Sequence, residues 1–366
     1  MTEWKTYKLG DIAKFQTGKL NSNAAVENGK YPFFTCSPNT LAIDNYAFDK
    51  EAILLAGNNA EGNFSIKYYK GKFNAYQRTY IIETYNDICD IKFLFYALKL
   101  CLQQFKLMSQ GTSTKFLTAV ILNNFEISLP GLEVQRRIAG ILGAIDDKIE
   151  NNRCINTNLE LQAQALFDKI FFDDNDAERN PLSDYADINP TRTLRQGVVA
   201  RYIEMANLPT RGSFPSDWSY KSYGGGCKFA NGDTIMARIT PCLENGKTAY
   251  IDFLEEQEVA FGSTEYIVIS AKSGYCPALF YFLARNKEFV DYAVGHMNGS
   301  SGRQRVSGAD IANFPMPHIT LEESNKFAEI AMPIMDVIRN NSLENRHLAT
   351  LRDTLLPKLM NGEIKL

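Results

Sequence analysis

The chain contains side chains that can do enzyme or metal chemistry, but few of them occur at the spacings of known catalytic or metal-binding motifs. Its three histidines, His296, His318 and His347, lie outside any HExxH motif and away from cysteines at metal-ligand spacing. The segment at 57–64, GNNAEGNF, has two glycines at P-loop spacing but lacks the lysine and the hydroxyl residue of that motif. The segment at 189–192, NPTR, lacks the second proline and the aromatic residue of an amino-methyltransferase motif, so we interpret it as a turn after a strand. The sequence therefore predicts a protein that is not an enzyme and has no metal site.

Polar and cationic side chains recur instead at equivalent places in the two halves of the chain. Arg, Asn, Gln and Lys read base edges, while Ser, Thr and Lys anchor phosphates, so these sets are candidate DNA contacts. The loops that begin at 111 (GTSTK) and 299 (GSSGRQR) suit close approach to a phosphate backbone. One such loop alone is more often a solvated surface loop, and the recurrence favours binding. The candidates in the first half are Asn58, Asn59, Asn63, Gln77, Arg78, Thr112, Ser113 and Lys115. Those in the second half are Arg238, Thr240, Asn245, Lys247, Ser263, Thr264, Ser300, Ser301, Arg303, Gln304 and Arg305.

The overall composition sets bounds on these contacts. The chain has 366 residues, enough for two or more cores, with 45% hydrophobic and 22% charged residues. Because the net charge is −3, any positive charge for nucleic acid must be local or come from a partner. The seven cysteines form no CxxC pair, the N-terminus has no apolar signal region, and no apolar stretch is long enough to span a membrane. We therefore expect a cytoplasmic protein with reduced thiols.

A long amphipathic helix is predicted over residues 132–171. Its seam follows a 4-3-4-3 spacing, which is typical of a helix that pairs with another helix. The seam residues are Ile138, Leu142, Ile145, Ile149, Asn152, Asn156, Leu159, Ala163, Leu166 and Ile170. At a constant offset of 189 residues the seam recurs as Phe327, Ala331, Ile334, Ile338, Asn341, Asn345, Leu348, Arg352, Leu355 and Leu359.

Two asparagine layers lie in the middle of each seam, Asn152 with Asn156 and Asn341 with Asn345. An asparagine buried between two helices costs stability and fixes their register. We predict that these four residues set the register of the helix pair. The alternative is that the helices diverge there and the asparagine side chains are solvated.

Nearly the whole chain is a tandem repeat, which indicates a duplicated structural unit. The runs at 50–57 and 76–83 have the composition of strands, and the run at 93–108 has the apolar spacing of a helix. The corresponding segments are 9–15 with 182–188, 50–57 with 232–239, 78–83 with 263–269, 93–108 with 279–294 and 111–130 with 299–317.

The repeat predicts an α+β fold, with two tandem α/β globular domains joined by two long antiparallel coiled-coil helices in a pseudo-two-fold arrangement. The predicted boundaries are a first globular domain at 1–131, a first helix at 132–172, a second globular domain at 173–320 and a second helix at 321–366. A helix of about 40 residues is about 60 Å long, so the second helix must run back to bury its seam against the first. Pro333 removes a helical hydrogen bond at a cost of about 3 kcal/mol, which predicts a bend or break near 329–333.

Several segments resemble the specificity (S) subunits of type I restriction-modification systems. These segments are Leu9-Gly10-Asp11 and Leu182-Ser183-Asp184, LPGLEVQRRIAGIL and MPHITLEESNKFAEI, ARITPCLENGKTAYI with FGSTEYIVI, and the C-terminal LLPKLMNGEIKL. The resemblance covers the full chain and depends on the order and duplication of the segments. One departure is that Gln135 of the first copy has no glutamine counterpart at Glu322-Glu323-Ser324.

The resemblance implies a DNA sequence-specificity subunit with no catalytic activity and no cofactor of its own. Each globular domain would be a target recognition domain that reads one half of a bipartite, asymmetric site in double-stranded DNA. The helices would set the spacer between the halves and hold two methyltransferase (M) subunits, and restriction (R) subunits would join through that complex. S-adenosylmethionine, ATP and Mg²⁺ would belong to the partner subunits.

Two alternatives remain open. The chain could serve as an S-like subunit for a fused methyltransferase-nuclease, with the same reading role. It could instead be a protein scaffold whose domains do not bind DNA, an alternative that the low net charge keeps open.

Overall fold

The computed structural model describes residues 4–85, 87–174, 176–300 and 302–366. The chain divides into two compact units, Met1–Asp147 with Leu348–Leu366 and Lys148–His347. Both divisions fall inside long helices, so each unit consists of a globular part and segments of two helices. Among the described residues, no helix is long and apolar enough to cross a membrane.

The first unit is built around a six-stranded sheet in the order β2-β8-β5-β7-β3-β4. The pairing of β3 with β7 is parallel, and the other neighbours in this sheet are antiparallel. Two short sheets flank it, β1 with β10 and β6 with β9. The strands are β1 (Lys5–Lys8), β2 (Ala13–Thr17), β3 (Tyr31–Phe34), β4 (Leu41–Ile43), β5 (Phe48–Ala56), β6 (Asn58–Asn59), β7 (Ile66–Ala75), β8 (Thr79–Thr84), β9 (Lys115–Phe116) and β10 (Glu126–Leu129). The helices are α1 (Leu9–Ile12), α2 (Ile91–Leu100), α3 (Leu102–Met108), α4 (Ala119–Asn124), the first part of α5 (Leu132–Phe171) and the last part of α9 (Leu321–Met360).

Strand β5 lies at the centre of this sheet and is buried on both faces. Ile53 and Leu55 belong to the core cluster that includes helix α2, whereas Leu54 belongs to a second cluster with Phe73 and Ile81. This division follows from the strand itself, because successive side chains point to opposite faces. The strands predicted at 50–57 and 76–83 are thus confirmed as β5 and β8.

The second unit repeats much of this arrangement. Its strands are β11 (Arg179–Pro181), β12 (Ala186–Ile188), β13 (Val199–Ile203), β14 (Ser219–Ser222), β15 (Lys228–Phe229), β16 (Asp233–Ala237), β17 (Thr248–Tyr250), β18 (Ala260–Gly262), β19 (Tyr266–Ala271) and β20 (Pro315–Pro317). Its helices are α6 (Pro277–Arg285), α7 (Lys287–Gly295), α8 (Gly308–Ala312) and the remaining parts of α5 and α9. The sheet orders are β12-β19-β16-β17, β14-β13-β18-β15 and β11-β20. The antiparallel order β12-β19-β16-β17 matches β2-β8-β5-β7 of the first unit, and β11-β20 matches β1-β10, so the structure confirms an α+β fold with two repeated globular parts.

The helix predicted at 93–108 is in fact two helices, as is its counterpart at 279–294. In the first unit Cys101 separates α2 from α3. In the second, Asn286 has an extended backbone, and its side chain accepts hydrogen bonds from the backbone N–H groups of Glu288 and Phe289. That asparagine cap starts a new helix, which apolar spacing alone does not reveal.

Helix α5 begins at Leu132 and ends at Phe171, as the heptad spacing predicts. In the second unit it runs antiparallel to α9, because Asn152 contacts Asn345 whereas Asn156 contacts the earlier residue Asn341. In the first unit Asp146 of α5 contacts Arg352 of α9. The predicted seam is wrong at Ile170, which is 43% exposed. Phe167 and Phe171 are buried there instead, since a 3.6-residue helix drifts relative to a strict heptad.

The break expected near 329–333 does not occur, since α9 is one helix from Leu321 to Met360. Ala331, Met335 and Ile338 are buried on its inner face on both sides of Pro333, while Pro333 itself is exposed. Packing of that face supports the helix through the missing hydrogen bond.

Gln135 and Ser324, which differ at equivalent positions of the repeat, are both buried. The Gln135 side chain donates to the carbonyls of Ile88 and Pro130 and accepts from the Asp90 N–H. Ser324 Oγ accepts from the Cys276 N–H at 2.8 Å. The serine therefore satisfies one of the loop's backbone groups where the glutamine satisfies three.

Candidate nucleic-acid interface

In the first unit, a loop cluster forms where β5 continues into β6. Strand β6 pairs with β9, so that Asn58 lies opposite Phe116 and Asn59 lies opposite Lys115. The guanidinium of Arg78 stands 5.3 Å from the Phe116 ring centroid, and the Arg78 side chain is exposed. Asn58, Arg78 and Lys115 therefore lie close to one another in this cluster.

The rim of this cluster is polar. Asn59 Oδ1 accepts from the N–H groups of Glu61 and Asn63, and Lys106 donates to Asn63 Oδ1 at 2.8 Å. Thr112 and Ser113 are exposed beyond it. Gly111 has φ +104°, and a Cβ there would lie 2.1 Å from the Thr114 carbonyl oxygen, so this tight loop requires glycine.

Two candidate side chains of the first half, Gln77 and Asn58, differ from the others in their hydrogen bonding. Gln77 is exposed, but its amide donates to Asn21 Oδ1 at 2.9 Å. Asn58 Oδ1 is buried without a hydrogen-bond partner among the residues that the structure describes. A buried acceptor of this kind costs free energy unless something donates to it.

In the second unit, the corresponding loops centre on one carboxylate. Glu265 accepts from Arg305 through Nε and Nη2, at 2.9 Å and 2.8 Å, and from Arg238 Nε at 3.2 Å. Hydrogen bonds from Arg305, with a further contribution from Arg238, hold the pKa of the Glu265 carboxyl below its usual range. Two cations therefore surround one anion, which leaves a net positive charge.

The neighbouring residues of the second half are held by backbone contacts. Thr240 N–H donates to the Gln304 carbonyl at 3.1 Å, which brings these two candidates together. Lys247 Nζ donates to the Met205 carbonyl at 2.7 Å, and Asn245 is exposed. The turn between these last two, at Gly246, is held by Arg285, whose Nη1 donates to the Gly246 carbonyl at 2.6 Å.

The remaining candidates of the second half lie at the loop tip and at the start of β19. Ser300 and Arg303 are exposed, and the Arg303 N–H donates to the Ser300 carbonyl at 3.0 Å. Ser263 Oγ accepts from the Glu265 N–H at 3.1 Å, and Thr264 is exposed. Ser301 lies outside the described residues.

The two loop clusters share one backbone scaffold. In the first unit the Gly57 N–H donates to the Arg78 carbonyl, and Leu117 N–H donates to the Gly57 carbonyl. In the second unit the Arg238 N–H donates to the Glu265 carbonyl, and Val306 N–H donates to the Arg238 carbonyl. The third position is occupied by Phe116, opposite Asn58, and by Arg305, opposite Ile239. Equivalent backbone sites therefore carry Gly57, Arg78 and Phe116 in one unit and Arg238, Glu265 and Arg305 in the other.

Sequence reasoning missed Glu265 and Arg285. Glu265 is acidic, and a search for residues that contact an anionic polymer passes over it. Arg285 ends a buried helix, where the pattern gives no reason to expect a loop contact. The repeat offered one signal, since 263–269 aligns with the strand after Arg78.

The helix asparagines contact each other across the pair. Asn152 is 0% exposed, and its amide donates to Asn345 Oδ1 at 3.0 Å and to Glu344 at 2.7 Å. Asn341 donates to Asn156 Oδ1 at 2.8 Å. The asparagine layers of α5 and α9 are therefore hydrogen-bonded to each other. That they set the register of the two helices stays a prediction.

The described part of the chain contains no group of three or more His, Cys, Asp or Glu side chains placed to hold a metal ion. His318 contacts Asn180 and Tyr185, and His296 stacks on Tyr292 with ring centroids 3.9 Å apart. Asn189, of the NPTR segment, follows β12 and bonds to Val268 of β19 through its Oδ1, as the turn interpretation predicts.

Comparison with known proteins identifies relatives of this arrangement. Residues 1–161 match the family model described as the type I restriction modification DNA specificity domain. The chain is 27% identical to the type I restriction enzyme EcoDI specificity subunit of Escherichia coli, over 99% of this chain and 89% of the relative. It is 23% identical to the HindI specificity subunit of Haemophilus influenzae, over 100% of both chains. Among solved structures, the S subunit of a type I restriction-modification system from M. genitalium has a similar fold, with a TM-score of 0.66 and 16% identity over 98% of this chain and 96% of that one.

Proposed function

We infer that this chain, which belongs to the family of type I restriction-modification specificity subunits, recognises DNA sequence through its two globular units. The observation that carries this conclusion is the loop cluster that recurs on one backbone scaffold in both units. Each cluster presents arginine, lysine or amide side chains, the groups that contact base edges and phosphates. Each unit reads one half of a bipartite, asymmetric site.

The difference between the clusters supports unlike half-sites. One cluster carries Arg78 over an aromatic ring, and the other carries two arginines that share a glutamate. Because the hydrogen-bonding groups differ at equivalent positions, the two units favour different base patterns.

The long helices are proposed to set the spacer between the half-sites and to hold two methyltransferase subunits. The 40-residue length of each helix and the bonded asparagine layers of the second unit support this proposal. Restriction subunits would join through that complex, in the cytoplasm. In this proposal the chain contributes no catalytic group and no cofactor, and S-adenosylmethionine, ATP and Mg²⁺ act on the partner subunits.

Methylome sequencing tests the proposal directly. The full chain is expressed with its methyltransferase partner in a host free of other modification systems, and methylated positions are mapped. The expected result is one bipartite motif whose halves differ and are separated by unspecified bases. A matched strain without this gene should lose the motif. Methylation that lacks any bipartite motif, or that persists without the chain, would refute the function and favour a scaffold that does not bind DNA.

A further inference from the structure

Arg238 is held more firmly than an ordinary surface arginine. Its backbone N–H donates to the Glu265 carbonyl at 3.0 Å, and its own carbonyl accepts from the Val306 N–H at 3.0 Å. Its Nε donates to Glu265 Oε2 at 3.2 Å. The backbone is therefore fixed on both sides, and the plane of the guanidinium is set by a carboxylate.

The end of the guanidinium remains available. Within the described part of the chain, Nη1 and Nη2 of Arg238 have no hydrogen-bond partner, and the side chain is 33% exposed. These two nitrogens form the planar fork that bonds O6 and N7 of guanine in the major groove. An arginine held at Nε presents that fork with little rotamer entropy left to lose.

Arg305 is differently used. Its Nε and Nη2 both bond Glu265, and its Nη1 donates to the Arg303 carbonyl at 3.1 Å. Each nitrogen of its guanidinium thus has a partner within the protein. Arg305 neutralises and orients Glu265, which in turn orients Arg238.

We propose that Arg238 reads a guanine in the DNA half-site of the second unit, with Glu265 and Arg305 as positioning residues that hold its guanidinium. This assignment depends on the proposed function and adds to it the base and the reading residue. The equivalent position in the first unit is Gly57, where a Cβ would lie 2.5 Å from the Arg78 carbonyl oxygen. The first unit therefore cannot use this position in the same way, which separates the specificities of the two units.

The test begins with the unaltered complex of the full chain and its methyltransferase subunits. Once the bipartite motif is known, each guanine in it is replaced singly by 7-deazaguanine, which lacks the N7 acceptor. The substitution at one guanine in one half-site should weaken binding about threefold or more, because it removes one of the two acceptors of a bidentate contact worth about 1–3 kcal/mol. If a bipartite motif exists but every 7-deazaguanine is tolerated, the assignment is overturned while the proposed function stands. If no bipartite motif exists, the proposed function itself fails.

Variants then assign the contact to its side chain. Arg238→Ala should make the complex insensitive to the sensitive 7-deazaguanine, and Arg238→Lys should lose discrimination at that position because lysine lacks the fork. Glu265→Gln should lower the preference for guanine and strengthen binding to unrelated DNA, because it releases a cation. Arg179→Lys is the matched control, since Arg179 pairs with Glu288 in the same unit, and it should leave the motif unchanged.

A phosphate contact predicts another pattern. Arg238→Ala would then weaken binding to all sequences equally, reduce the slope of log affinity against log salt by about 1, and leave the 7-deazaguanine effect intact. That result would overturn the assignment.

Discussion

Replacing Arg285 by alanine should loosen the loops that present the second cluster. Its guanidinium donates to four carbonyls, those of Thr210 at 2.8 Å, Gly246 at 2.6 Å, Gly212 at 2.7 Å and Thr248 at 3.2 Å. It also donates from Nε to the hydroxyl of Tyr281 at 3.2 Å. One side chain thus joins the end of helix α6 to the turn between Asn245 and Lys247.

The expected magnitude follows from these acceptors. A hydrogen bond to a charged group contributes about 1.5–3 kcal/mol, but bonds that share one donor group are not additive. Thr210 is exposed and its carbonyl can be hydrated after the change, whereas Thr248 is buried. We expect Arg285→Ala to lower the local opening free energy by about 3 kcal/mol, within the range for breaking a partly buried charged network.

Hydrogen exchange measures this locally, which avoids assuming that a chain with two units unfolds in one step. The reporters are the Thr248 N–H, which donates to Pro209, and the Tyr250 N–H, which donates to Ser213. About 3 kcal/mol corresponds to exchange about 150-fold faster at these amides. Arg285→Lys keeps the charge and three donors, so its effect should be smaller. Acceleration below about fivefold in Arg285→Ala, equivalent to about 1 kcal/mol, would refute the reasoning.

Three further predictions address other parts of the chain. Burial raises the pKa of Asp252 to about 7, against the influence of Arg339. Because the native state then binds the proton more tightly than the unfolded state, the free energy of unfolding should fall as pH rises from about 4 through 7. Asp252→Asn should abolish that slope in pH-dependent unfolding, and a variant with the wild-type slope would contradict the prediction. Leucine at the four seam asparagines, Asn152, Asn156, Asn341 and Asn345, should remove the bonded layers and loosen the register of the helix pair. Unchanged small-angle scattering together with unchanged methyltransferase binding would disprove a register role. One added heptad in each helix, about 10 Å, should lengthen the DNA spacer by about three base pairs, and a motif with the original spacer would rule out the ruler.

The helices were the most predictable part of the molecule. A repeat of apolar residues over many turns specifies a helix and its buried face with little help from the rest of the fold, so α5 appears at Leu132–Phe171. Its deviations are local. Ile170 is exposed because the stripe drifts near the helix end, and the segment through Pro333 stays helical because its buried face is packed.

The candidate site was predictable only at the level of its loops. The repeat placed Lys115 and Arg305 in equivalent segments, and the structure sets Lys115 opposite Asn59 and Arg305 opposite Ile239. The roles proposed for Arg238 and Arg305 depend on their contacts with Glu265, which is 27 residues from Arg238 and 40 from Arg305 in the chain. No local pattern encodes an ion pair across such separations, so a residue that reads a base and one that neutralises a glutamate look alike in sequence.

The division of the chain into compact units has a consequence for synthesis on the ribosome. The core of the first unit includes Leu356 and Leu359 beside Leu94, Ile138 and other residues from the N-terminal part. Those leucines are translated more than 200 residues after Asp147, the last N-terminal residue of that unit. The first globular part therefore leaves the ribosome with apolar core residues still exposed, and the C-terminal helix covers them only after the whole second unit has been made. A nascent chain stalled before 348 should bind chaperones through that surface, and its release is timed by the C-terminal helix.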